Sequence, residues 1–142
     1  MHTIHILLVE DNEGDIILIK EALKEGKIKN SLSVVHDGHE AISYLQQKEK
    51  YRNELKPDLI LLDLNLPKLD GIEVLSHIKS DPVLRLIPVI ILTTSSRDND
   101  ILKAYSNYAN CYITKPVNFT QFMEVILTIE EFWVNIVKLP KV

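Results

Sequence analysis

Five polar residues stand where apolar runs end: Glu10 and Asp11 after residues 4–9, Asp63 after 59–62, Thr93 after 88–92, and Lys115 just after 111–113. Brought to one place, they would supply three carboxylates, one hydroxyl and one ammonium. Clustered carboxylates repel and must be neutralised by protons or cations. An all-oxygen site with few protein ligands suits Mg²⁺, which keeps several waters and shares phosphate oxygens. A hydroxyl and an ammonium beside it match what a tetrahedral dianion needs. A phosphoryl group is the natural missing ligand, either bound transiently or attached to a carboxylate, because aspartate can form acyl phosphates. Such transfer depends on positioning and charge stabilisation more than on proton transfer, in keeping with the absence of a histidine base next to these positions.

These residues converge only if the runs that carry them are parallel strands. The run Leu59-Ile60-Leu61-Leu62, bounded by Pro57-Asp58 and Pro67, reads as a strand buried on both faces. Strands are predicted to begin near residues 4, 31, 58, 88 and 110, each followed by a helical pattern. Five βα units at this spacing predict one parallel sheet between two layers of helices. In such sheets ligands bind at the carboxyl ends of the strands, where all of these residues fall. Asn12, the pairs Asp37/Glu40, Asp70/Glu73 and Asn118/Gln121, and Ser95 or Ser96 are the N-cap candidates; Gly26 is a C-cap candidate. The charged stretch from Gln46 to Lys56 reads as a helix end followed by an exposed loop.

Composition narrows the class. A chain of 142 residues fits one domain and can bury about two thirds of its extended-chain surface. A net charge of −4 gives no reason to expect DNA or a membrane surface as partner. The single cysteine, Cys111, excludes an internal disulfide and fits a reducing compartment. The start Met1-His2-Thr3-Ile4 has no signal-peptide pattern, and no apolar run approaches the about 18 residues of a membrane span. A cytoplasmic, soluble chain is the expectation.

The set Glu10-Asp11, Asp63, Thr93 and Lys115-Pro116, in this order on five βα units, resembles the receiver domain of two-component response regulators over nearly the whole chain. The resemblance implies a single flavodoxin-like, CheY-like α/β domain over residues 1–142, with strand order 2-1-3-4-5. Its core would cover about 3–130, with a helical extension to about 138. It implies that Asp63 is the phospho-acceptor, served by a sensor histidine kinase or a phosphotransfer protein. Mg²⁺ would be held by Asp11, Asp63, the Asn65 backbone carbonyl and Glu10, the last directly or through water. Lys115 would pair with Asp11 and Asp63 before phosphorylation and with the phosphoryl oxygens after it. Thr93 would shift toward the phosphoryl group, Tyr112 would turn inward behind it, and the Lys115–Pro116 bond would be cis. Catalysis would be confined to the chain's own phosphorylation and dephosphorylation, so it would not be an enzyme acting on a separate substrate.

No output domain follows the receiver pattern, so output is expected through contact with another protein. The 46–56 stretch and the ending from Phe132-Trp133 to Leu139-Pro140 resemble the small stand-alone receivers that pair with phytochrome-type histidine kinases. That resemblance implies a homodimer through the fourth helix, fifth strand and fifth helix, with Tyr105, Tyr108, Phe122 and Trp133 as contact candidates.

Two departures from the family pattern stand out: Glu10 where many members have Asp, and Asn107-Tyr108-Ala109-Asn110 where many have Gly-Ala. Asn107 or Asn110 is the candidate for a left-handed turn there. Plainer roles remain open at each position. Asp63 could cap a loop, Thr93 could be an ordinary β-branched strand residue with Thr94 as rival hydroxyl, Lys115 could be a solvated charge, and Tyr112 could stack on the last helix. His5, His36, His39 and His77 show no metal-like pairing. A flavin-phosphate module would need a Ser/Thr/Gly-rich loop where Glu10-Asp11 stands. A dehalogenase-type phosphatase would need an acid at Asn65. A phosphorylation-independent scaffold is the remaining functional rival.

Overall fold

The computed structural model describes residues 3–26 and 29–142. Five strands, β1 (Ile4–Val9), β2 (Asn30–Val35), β3 (Leu59–Leu62), β4 (Val89–Thr93) and β5 (Cys111–Thr114), form one sheet in the order β2-β1-β3-β4-β5. Every pairing is parallel. Five α-helices follow the strands in turn: α1 (Glu13–Glu25), α2 (Gly38–Leu45), α3 (Gly71–Ser80), α4 (Asp98–Ser106) and α5 (Phe119–Ile129). The predicted order and element sequence are both observed.

Alternation along the strands creates two cores. Ile6, Leu8, Leu59, Leu61, Ile90 and Leu92 face α1 and α5, meeting Ile16, Ile19, Phe122 and Ile126. Leu7, Val9, Ile60, Leu62, Val89 and Ile91 face α2, α3 and α4, meeting Tyr44, Leu45, Leu75, Ile78 and Ala104. All four residues of β3 are fully inaccessible, and burial of each contributes roughly 1.5–3 kcal/mol. Asp63 is thus anchored at the end of a wholly enclosed central strand.

Helix starts follow the predicted side-chain caps at four of five positions. Asn12, Asp37, Asp70 and Asn118 each accept a hydrogen bond from the backbone N–H three residues on. The exception is α4, whose N-cap is Arg97 with no side-chain cap. Ser95 there accepts from the Arg97 N–H and donates to Asp100, so it braces the turn instead of capping it.

The helix-to-strand turn after α4 also departs from expectation. Neither Asn107 nor Asn110 is left-handed; Tyr108 is, with φ of 66°. Its N–H donates to the Tyr105 carbonyl and that of Ala109 to the Ala104 carbonyl, the paired bonds of a Schellman motif. Asn110 is used elsewhere: its Oδ1 accepts from the Val89 N–H and from Lys79 Nζ, tying the start of β4 to β5 and α3. The 46–56 stretch is more ordered than a loop, with a 3₁₀ turn at Glu49–Tyr51 and the Tyr51 ring tilted against Tyr44. Beyond α5 the chain continues as a π-helical segment, Glu130–Ile136.

Tyr108 is three-quarters exposed, so its side chain adds little packing to offset the left-handed backbone. Tyr108→Gly should raise stability by about 0.5–1 kcal/mol in urea unfolding. A loss of stability would contradict the strained-turn assignment.

Candidate functional site

The parallel sheet delivers its strand ends to one edge, and hydrogen bonds extend the ladder just past them. The Glu10 N–H donates to Val35, that of Asp63 to Val9 and that of Lys115 to Thr93, at 3.0, 3.1 and 2.7 Å. The backbones carrying these three side chains are thus fixed by the neighbouring strands. Gly71 sharpens the placement of Asp63. A Cβ there would lie 2.4 Å from the Asp63 carbonyl oxygen, so only glycine lets α3 start this close to β3.

Lys115 is the centre of the site. Its Nζ lies 2.6 Å from Glu10 Oε1, 2.8 Å from Asp15 Oδ2 and 3.1 Å from Asp63 Oδ2. Burial alone would lower the Lys115 pKa, but hydrogen bonds to Asp15 and Glu10 and the field of Asp63 and Glu10 outweigh it and hold the ammonium firmly charged. The family resemblance implied Asp11 and Asp63 as its partners; the structure bears out Asp63 and places Glu10 and Asp15 where Asp11 was expected. Asp11 is exposed at the entry to α1, whereas Glu10 is buried and long enough to reach inward. Asp15 is the residue that sequence reasoning missed. It is the third residue of α1, where the Cα–Cβ bond leans toward the helix N-terminus and hence toward this sheet edge.

Glu10, Asp11 and Asp63 each offer an oxygen within 4.8 Å of the others. Burial pushes the Glu10 carboxyl up to about 7; its bond to Lys115 opposes this and neighbouring Asp63 reinforces it. One ammonium does not neutralise this many acids, and a hard divalent cation on the all-oxygen set would. The residues present therefore fit such a metal.

The other predicted positions lie around this core. Thr93 is fully buried, and its hydroxyl has no hydrogen-bond partner. Thr94 is exposed, with its hydroxyl 3.5 Å from the Asn65 amide. The Asn65 N–H donates to Asp63 Oδ1 at 3.1 Å, which orients the carboxylate. Tyr112 is half-buried and donates to the Ser95 carbonyl at 2.9 Å, tying β5 to the β4–α4 loop. The Lys115–Pro116 bond is trans, as no peptide bond among the described residues is cis. Trans is the lower-energy form of X–Pro by about 0.5–1 kcal/mol, and Lys115 reaches its carboxylates without the alternative.

The family model of the response regulator receiver domain matches residues 6–127. The chain belongs to the response regulator receiver family. Among its relatives, response regulator Rcp1 of Synechocystis sp. (strain ATCC 27184 / PCC 6803 / Kazusa) is 47% identical over 135 residues, 95% of this chain and 92% of Rcp1. The probable methanogenesis regulatory protein FilR2 of Methanothrix harundinacea (strain 6Ac) is 43% identical, covering 92% of this chain and 83% of that protein. The crystal structure of the phosphorylated cyanobacterial phytochrome response regulator RcpA superposes with a TM-score of 0.96 at 50% identity, covering 99% of this chain and all of RcpA. Rcp1 has also been crystallised in a Mn²⁺-bound form, with a TM-score of 0.94. The receiver fold and this chain's similarity to phytochrome response regulators are thus established, and no helix among the described residues is long and apolar enough to cross a membrane.

Because Glu10 in the folded receiver titrates above its ordinary value of 4.5, it binds its proton more tightly folded than unfolded. Its contribution to stability is complete below pH 4.5 and is lost as pH rises toward about 7. The metal-free protein should therefore lose stability across that window, and Glu10→Gln should flatten the dependence. Carboxyl ¹³C shifts of Glu10 should show a midpoint near 7 that falls when a divalent cation is added. Titration in the ordinary glutamate range without metal would contradict this.

Proposed function

We propose that this receiver accepts a phosphoryl group on Asp63 from the phosphohistidine of a sensor histidine kinase or a phosphotransfer protein. The observation that carries the reading is the buried Asp63 carboxylate, held between the Lys115 ammonium and the oxygens of Glu10 and Asp11. In the transfer, an Asp63 oxygen attacks phosphorus and forms the acyl phosphate as the N–P bond breaks and leaves its electron pair on the imidazole. Mg²⁺, held by Glu10, Asp11, Asp63 and the Asn65 carbonyl, would supply charge neutralisation between the carboxylate and the incoming oxygens. Lys115, already beside Asp63, comes to donate to a phosphoryl oxygen. The Thr93 hydroxyl, buried without a partner, gains an acceptor and moves toward it. Tyr112, linked to the loop after Thr93 through Ser95, transmits that movement to the α4–β5 surface. The chain acts as catalyst only on its own phosphorylation and dephosphorylation.

The likeness to RcpA, a phytochrome response regulator, supports a phytochrome-type kinase as donor. A homodimer through α4, β5 and α5 fits the surface. Strand β5 is an edge, and Leu102, Tyr105, Tyr108, Val117 and Phe119 are exposed beside it. Phe122 does not belong to that surface, being buried in the core, and Trp133 is partly buried at a groove of about 630 Å³ along β5 and α5.

Incubation with Mg²⁺ and a phosphorylated donor domain should label the wild-type chain, and Asp63→Asn should abolish the label. Label retained on another residue would overturn the assignment; an amide NMR spectrum unmoved by Mg²⁺ and beryllofluoride would favour the phosphorylation-independent scaffold. For the dimer, sedimentation at micromolar concentration should give twice the 16.3 kDa chain mass. Tyr105→Glu should shift it toward monomer, and a wild type that sediments as monomer would overturn the dimer.

A further inference from the structure

The Lys115 ammonium has three N–H donors, and three carboxylates from three different elements surround it. Two of them, Glu10 and Asp63, belong to the acidic set already described. The third, Asp15, comes from the first turn of α1 and has no part in that set. Its presence there is not a by-product of helix capping. An acid at the third helical position ordinarily bonds back to the N-cap N–H. Here the Asn12 N–H is taken by Glu10 Oε2 at 3.2 Å, and Asp15 turns to Lys115. The Asp15 backbone is meanwhile fixed by its N–H to Asn12 Oδ1 at 2.9 Å, so the carboxylate is presented by a rigid turn.

We propose that Asp15 is a positioning residue that holds the Lys115 ammonium on α1 and so sets how readily it passes to a phosphoryl group on Asp63. The proposal rests on Asp63 being the phospho-acceptor. A phosphoryl group brings three acceptor oxygens and about two negative charges. With every donor engaged, Lys115 can meet it fully only by releasing a carboxylate. Exposure decides which one. The side chains of Glu10 and Asp63 are 1% and 7% exposed, and stranding either would leave a buried polar group without its partner. That of Asp15 is 23% exposed, so water can replace the ammonium there. Asp15 is thus the exchangeable partner. Its release also loosens a tie between α1 and the end of β5, giving phosphorylation a direct effect on the first turn of α1.

Beryllofluoride, a mimic of the bound phosphoryl group, tests this at saturating Mg²⁺ with amide NMR as readout. Asp15→Asn should bind it about tenfold more tightly than wild type, because a competing charge beside the ammonium is gone. Asp15→Glu should bind within about twofold of wild type, and Mg²⁺ affinity should not rise in either variant. In a Lys115→Met background, Asp15→Asn should have no effect, since the coupling runs through the ammonium. An Asp15→Asn affinity equal to or below wild type would overturn the proposal, as would a gain that persists without Lys115, which would mark plain charge repulsion. Asp15→Ser provides the same comparison if the asparagine variant misfolds. Failure of the wild type itself to bind beryllofluoride would instead overturn the phospho-acceptor reading beneath it.

Discussion

The site is organised by an imbalance of charge: a single buried ammonium, that of Lys115, set against Glu10, Asp15 and Asp63, with Asp11 at the rim. In water such an excess of carboxylates would be unremarked. At a largely desolvated sheet edge it must be answered, and the protein answers it in two ways. Glu10 holds its proton to about pH 7, and the acidic oxygens converge closely enough for a divalent cation. Both answers leave Asp63 in a position where added negative charge can be tolerated only with outside help. That makes the site responsive rather than simply stable.

The rest of the fold holds this imbalance in place. Parallel strands with apolar residues on both faces put no polar groups into the sheet until the strand ends. A one-residue slip of β3 would draw the Asp63 carboxylate in between the neighbouring strands, so the acid helps to fix the register that displays it. Gly71 lets α3 start against the Asp63 carbonyl, and the N-cap at Asn12 fixes the turn that presents Asp15. At the end of β4 the Thr93 hydroxyl is buried without a partner, and the Tyr112–Ser95 bond ties β5 to the loop that follows. The turn from α4 into β5 contains left-handed Tyr108, whose ring is exposed.

Similarity to Rcp1, RcpA and FilR2 establishes the family, and these relatives of comparable identity carry names from different pathways. Around the strand ends this chain carries the long acid Glu10 and Asp15 on the Lys115 ammonium, and left-handed Tyr108 in the α4–β5 turn.

Strand and helix order, both cores, four helix caps and the meeting of Glu10, Asp11, Asp63 and Lys115 were legible in the sequence. They follow from local rules: apolar period, cap chemistry and the requirement that parallel strands end together. Asp15 as a partner of Lys115, the trans bond at Pro116, the bracing role of Ser95 and the left-handed residue at 108 were not. Each is a choice between near-equal local options, such as Asp11 or Asp15 for one ammonium, or Asn107, Tyr108 or Asn110 for one turn. Such choices are settled by which side chain is already committed elsewhere, as Asn110 is to Val89 and Lys79 and the Asn12 N–H is to Glu10. Those commitments span distant parts of the chain, so only the folded arrangement decides them.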